Sequence, residues 1–170
     1  MTRRLWYPQL DVYDAIRRLA SLLAFWDVNS PPSQERLYIA DFYLANPPLL
    51  HKTHMLRDIR SEFSALGVKR PEKAFISYPS APVLFQKMDE VQKQAFRTLT
   101  GKGLINAVQL EQGAVVPTEA GHAVFNDHFV PLLAEGERAL AKFIAGTFAR
   151  VGSQDIAALR RNTGLRRVGR

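Results

Sequence analysis

The chain has 170 residues, no cysteine and a formal charge of +7, with 46% apolar and 23% charged residues. That length is enough for one domain with a buried core, and the lack of cysteine excludes disulfides, thiolate nucleophiles and thiolate-bound metals. The composition excludes a disordered chain, and the longest purely apolar run, residues 22–26, is far too short for a membrane span.

Arg3 and Arg4 are followed by Trp6, Tyr7, Pro8, Gln9 and Asp11 in place of an apolar stretch, so no export signal is expected and a cytoplasmic location is. Val12, Ile16, Leu19, Leu23 and Trp26 then recur at helical spacing behind Asp11, which predicts a helix over about 11–26 with Arg17 and Arg18 on its other face. Ser33 caps a second helix, QERLYIADFYLAN, that is apolar on nearly every side and stops at Pro47 and Pro48. Such a helix belongs in the middle of a core. A third is predicted from Met55 to Leu66, closed by Gly67, and a polar, proline-marked loop follows over 68–82.

From Pro82 a stripe of Leu84, Met88, Val91, Ala95 and Leu99 predicts one helix ending at Gly101 and Gly103. Beyond it, Leu104 to Leu110 and Ala114 to Val116 are two apolar runs separated by Glu111, Gln112 and Gly113, the pattern of a β-hairpin with a three-residue loop. Thr118 and Glu119 open another helix, and helical character continues to about Val151 with breaks at Pro131 and Gly136. The expected fold is therefore mainly α with a small hairpin. The run from Leu99 to Gly121 resembles a winged-helix domain with its wing at about 104–117. One such domain is expected over 1–150, with N-terminal helices and a long C-terminal helical segment. Residues 151–170 are expected to form a basic tail, because six of the arginines and only one acid, Asp155, lie from 150 onward.

Chemistry-bearing motifs are sparse. His51 and His54 stand three apart, but no third ligand follows at a defining spacing, so no metal site is expected. TLTGKG lacks the spacing of a phosphate-binding loop, and no serine sits in a G-x-S-x-G elbow. No catalytic residue and no cofactor is expected, and an enzyme is not. Were DNA read, the outward face of the 82–100 helix, Gln86, Glu90, Lys93, Gln94 and Arg97, would enter the major groove. Lys93 and Arg97, with Arg160, Arg161, Arg166, Arg167 and Arg170 of the tail, are the candidate nucleic-acid contacts; an acidic protein partner would suit the tail equally well. Trp6, Tyr7, Tyr13, Trp26, Tyr38 and Tyr43, crowded into the first 43 residues, are candidate partner-binding anchors, since large rings dominate protein interfaces.

The words LD-x-Y-x-A-x-x-R-L (Leu10 to Leu19) and DFYL-x-x-P (Asp41 to Pro47) resemble the middle component of ABC-three-component systems, the group to which the small subunit of Lamassu-type antiviral defence belongs. The resemblance covers the chain to about residue 150. It implies a non-enzymatic adaptor that sits on an SMC-like coiled-coil ATPase and tethers an effector nuclease, with DNA contact through the complex or the arginine tail. The alternative is a stand-alone winged-helix DNA-binding regulator.

Overall fold

The Asp11 carboxylate accepts the Asp14 amide at 2.9 Å and so starts α1, Val12–Phe25. The computed structural model describes residues 7–71 and 79–167. α2, Gln34–Ala45, is capped by Ser33, whose hydroxyl accepts the Arg36 amide. Every residue from Leu37 to Leu44 is buried, as a helix apolar all round requires. α3, Arg57–Ala65, buries only Ile59 and Phe63. Of the 68–82 loop, residues 72–78 fall outside the described residues, and its last two belong to the next helix.

The helix expected from Pro82 to Leu99 is two helices, α4, Ala81–Lys87, and α5, Asp89–Gly101, divided at Met88. α1 lies along α5, and α2 and α8, Glu135–Ala145, pack beside it. Phe42 meets Tyr43 and Phe85 edge-on with ring centroids 5.2 and 5.6 Å apart, and Tyr43 meets Phe148 at 5.4 Å, so the central aromatics interlock.

The predicted hairpin is not formed. Among the described residues there is no strand, and the single antiparallel bridge joins Ile105 to Pro117. Residues Ala107–Glu111 make a short helix, α6, because Asn106 caps it by accepting the Gln109 amide and because Ala, Gln, Leu and Glu are good helix formers. Gly113, at φ +87°, does adopt the left-handed conformation expected of it, but in a helix end. Its N–H bonds to the Leu110 carbonyl at 2.9 Å and that of Ala114 to Gln109 at 3.0 Å, the paired bonds by which such a residue closes a helix. With no hairpin there is no wing, and the winged-helix expectation fails with it. Of the second run, Val115 donates to the Pro32 carbonyl at 2.8 Å, and the Val116 carbonyl, which accepts the Asn106 amide at 2.8 Å beside the Ile105–Pro117 bridge, pairs with the first.

Thr118 behaves as its sequence suggests. Its hydroxyl accepts the Gly121 amide at 3.0 Å to start α7, Glu119–Val124, and donates to the Gly103 carbonyl at 2.8 Å. Thr118→Ala should therefore cost about 1 kcal/mol, read as a fall of about 2–4 °C in the melting midpoint. Gly121 is held by proximity, since a Cβ there would lie 2.1 Å from the Leu104 carbonyl oxygen. After α7 the chain passes through a π turn, Phe125–Phe129, just before Pro131, which has no N–H to extend the helix.

Residues 151–167 are not an extended tail. Asp155 caps α9, Ile156–Thr163, by accepting the Ala158 amide at 2.6 Å, and Leu159 and Leu165 are buried in the common core. The His54 amide donates to the Asn162 carbonyl at 2.9 Å, which pins α9 to the turn before α3. The arginines had obscured an ordinary amphipathic helix. No helix among the described residues is long and apolar enough to cross a membrane.

Candidate interaction site

A chain of charged and polar groups runs through the core and ends at two surfaces. Arg18, expected on the outer face of α1, is 1% exposed. It donates through Nε to Asp41 Oδ1 at 2.7 Å, and through Nη1 to Asp14 and, at 3.2 Å, to the Pro8 carbonyl. Asp41 is fully buried and also accepts from Gln92 Nε2 at 2.8 Å, while the same amide nitrogen reaches the Tyr38 carbonyl at 3.0 Å. Gln92 Oε1 in turn accepts from Arg167, which pairs with Asp89, and Asp89 holds Lys93 at 2.8 Å. Burial would lower the Arg18 pKa, but the Asp41 and Asp14 carboxylates overcome it and the net shift is upward. At Arg167 burial prevails over Asp89 and the shift is downward. Sequence reading missed this array because the links that carry it through the core, Arg18–Asp41, Asp41–Gln92 and Gln92–Arg167, are 23, 51 and 75 residues apart.

At one end the array fixes the start of α1. The Arg18 bond to the Pro8 carbonyl holds the 3-10 turn Pro8–Leu10 against the helix, and there Tyr7, Leu10 and Tyr13 are 51%, 41% and 83% exposed. Trp6 lies outside the described residues, and of the five other aromatic anchors named from sequence Tyr7 and Tyr13 are at the surface. Trp26, Tyr38 and Tyr43 are core, which corrects their assignment as contact residues: each is under 9% exposed. The Trp26 ring N–H donates to the Ser30 carbonyl, and the Tyr38 hydroxyl accepts from Gln34. Burial pushes the Tyr43 hydroxyl up to about 12, against the opposing effect of the hydrogen bond it accepts from Thr53.

At the other end the array gathers the basic residues. The Arg167 guanidinium lies 4.9 Å from the Tyr38 ring centre and 4.4 Å from that of Phe85, a cation held between two aromatic faces. That position puts Arg167, a candidate nucleic-acid contact in the sequence, within the packed body of the chain. Lys93 is tied to the same Asp89, Arg97 acts electrostatically on Tyr38, and Arg160 makes a two-bond pair with Glu35 at 2.7 and 2.6 Å. Gln86, Glu90, Lys93, Gln94 and Arg97 are all exposed, and Arg97 stands 3.8 Å from Glu90. Arg161 and Arg166 are exposed beside a surface cleft that Ala157, Arg160 and Gly164 complete. Arg170 lies outside the described residues.

The His51 ring is accounted for by packing: Nε2 lies 2.7 Å from the Val68 carbonyl and the ring meets Phe63 edge-on. Among the described residues no group of three or more His, Asp or Glu is placed to hold a metal ion.

The family model of the ABC-three component (ABC-3C) system Middle Component 5 matches residues 4–167. The chain belongs to that family. No curated protein and no solved structure matches it. The match in this middle component runs past residue 150, where the resemblance was expected to end, and takes in α9 and Arg167. The C-terminal helix is thus part of the family's body rather than an appendage, in keeping with its buried Leu159 and Leu165.

Proposed function

We propose that this middle component is a non-catalytic adaptor of an antiviral or anti-plasmid defence complex of the Lamassu type, joining an SMC-like coiled-coil ATPase to an effector nuclease and helping to hold the nuclease in check. Family membership supports a role as one part of a three-component system. The observation that carries the reading is the rigid, exposed set of Tyr7, Leu10 and Tyr13. Large side chains left in water at the start of a helix, and fixed there by a buried guanidinium, are what an interface anchor requires.

Co-expression with the ATPase and nuclease genes of the same system tests it. The chain should purify as a stable complex, and elution as a free monomer would end the proposal. Tyr7→Ala combined with Tyr13→Ala should weaken assembly by at least about tenfold while leaving the melting midpoint unchanged, because both side chains are exposed. The reading as a stand-alone winged-helix regulator has lost its wing to α6, and Glu90 stands on the face of α5 that would meet phosphates.

A further inference from the structure

We infer that Arg161 and Arg166, at the cleft formed by α9 and the turn after it, are the receptor for an acidic segment of another protein component of the system. The inference deepens the adaptor reading and rests on it. Four other cations on this side already have carboxylates: Arg160 has Glu35, Arg167 and Lys93 share Asp89, and Arg97 has Glu90. Arg161 and Arg166 make no ion pair and no hydrogen bond among the described residues, and both are exposed. Arg161 lies in the last turn of α9, where a cation complements the helix dipole without any partner. Arg166 lies beyond the helix end, so the dipole gives no account of it.

The scaffold beneath them is rigid. Leu165 is 0% exposed and Arg167 is held between Tyr38 and Phe85, so Arg166 is anchored by both of its neighbours. A pair of guanidinium groups on a fixed backbone needs little ordering when it binds, and each presents a fork of donors that fits a carboxylate. The occupant is a protein rather than a nucleic acid because the face interleaves its cations with Glu35, Asp89 and Glu90. A polyphosphate crossing it would meet those carboxylates at close range. A protein segment brings its carboxylates singly and can set apolar or neutral residues over the acids.

The test uses the full-length chain co-expressed with the other two components, comparing wild type with the double variant Arg161→Glu, Arg166→Glu. Charge reversal should lower the melting midpoint by no more than about 2–4 °C, the dipole of α9 being opposed at Arg161, yet weaken retention of one component by about a hundredfold or more. The Arg161→Lys, Arg166→Lys variant, which keeps the charge, should retain most of it, and wild-type retention should fall as salt rises. If the reversed variant still assembles as wild type does, the inference is overturned while the adaptor reading stands. If wild type itself elutes alone, both fall. A random-sequence DNA duplex is titrated in parallel; duplex binding that disappears in the reversed variant, with the complex intact, would assign the cleft to nucleic acid and overturn the inference.

Discussion

Arg18→Ala is expected to lower the melting midpoint by about 10 °C. The Arg18 side chain is 2% exposed and that of Asp41 is 0%, with 2.7 Å between Nε and Oδ1. Removing one partner of such a pair leaves a carboxylate desolvated and short of its main counter-charge, which costs about 3–5 kcal/mol. For a chain of this length each kcal/mol moves the midpoint by about 2–4 °C. Asp41→Leu should also be damaging, for the converse reason, since it leaves the buried guanidinium with Asp14 as its one carboxylate. The combination Arg18→Met, Asp41→Leu should recover much of the loss, because neither charge then remains to be desolvated. Additive single losses in the double variant, measured by denaturant unfolding, would show that the two side chains do not act as a unit. Arg18→Ala also frees the Pro8 carbonyl, so assembly through Tyr7 and Tyr13 should weaken even at temperatures where the variant is folded.

What could be seen in the sequence was local. Asp11, Ser33 and Thr118 cap helices as expected, because a cap is decided within three residues, and the apolarity of Leu37 to Leu44, interrupted only by Asp41, marks the central helix without reference to any partner. Gly113 shows where such reasoning divides. A glycine needing positive φ after a five-residue run is equally consistent with a hairpin loop and a helix end, and the Asn106 cap that decides the matter is a single weak signal. Arg18 and Gln92 could not have been singled out, since Asp41 and Arg167 come to them from distant parts of the chain and nothing near them in sequence says that they are buried. The basic C-terminal segment is a different case. Asp155 before Ile156 and Leu159, with Gly164 at φ +72°, was a complete helix signature, hidden only because the arginines suggested a solvated arm.

The second large effect is expected at Gly152. It stands at φ +61°, and a Cβ built there would lie 2.3 Å from the backbone nitrogen of Leu159 and 2.5 Å from its Cα. Any other residue pays twice. The left-handed conformation costs a side-chain-bearing residue about 1–2 kcal/mol, and relieving a contact against backbone requires α9 to shift, which adds about 1–3 kcal/mol on the scale of overpacked cores. Gly152→Ala should thus lower the midpoint by about 10 °C. The effect should be concentrated in one region, because the Gly152 carbonyl accepts from Arg36 at 2.6 Å and the same guanidinium reaches the carbonyls of Ala149 and Val151. Arg36 has no carboxylate partner among the described residues and burial lowers its pKa, so these three carbonyls are its compensation, and a displaced turn removes it. Amide exchange resolved by residue should show protection falling first through α9, whose Leu159 faces the turn, before it falls in α1 and α2. Since Arg161 rides on that helix and Arg166 follows directly after its end, the same substitution should also weaken retention of the component bound there, although it changes no charge. Uniform loss of protection across the molecule would mean instead that α9 is welded to the core and that its docking cannot be separated from folding.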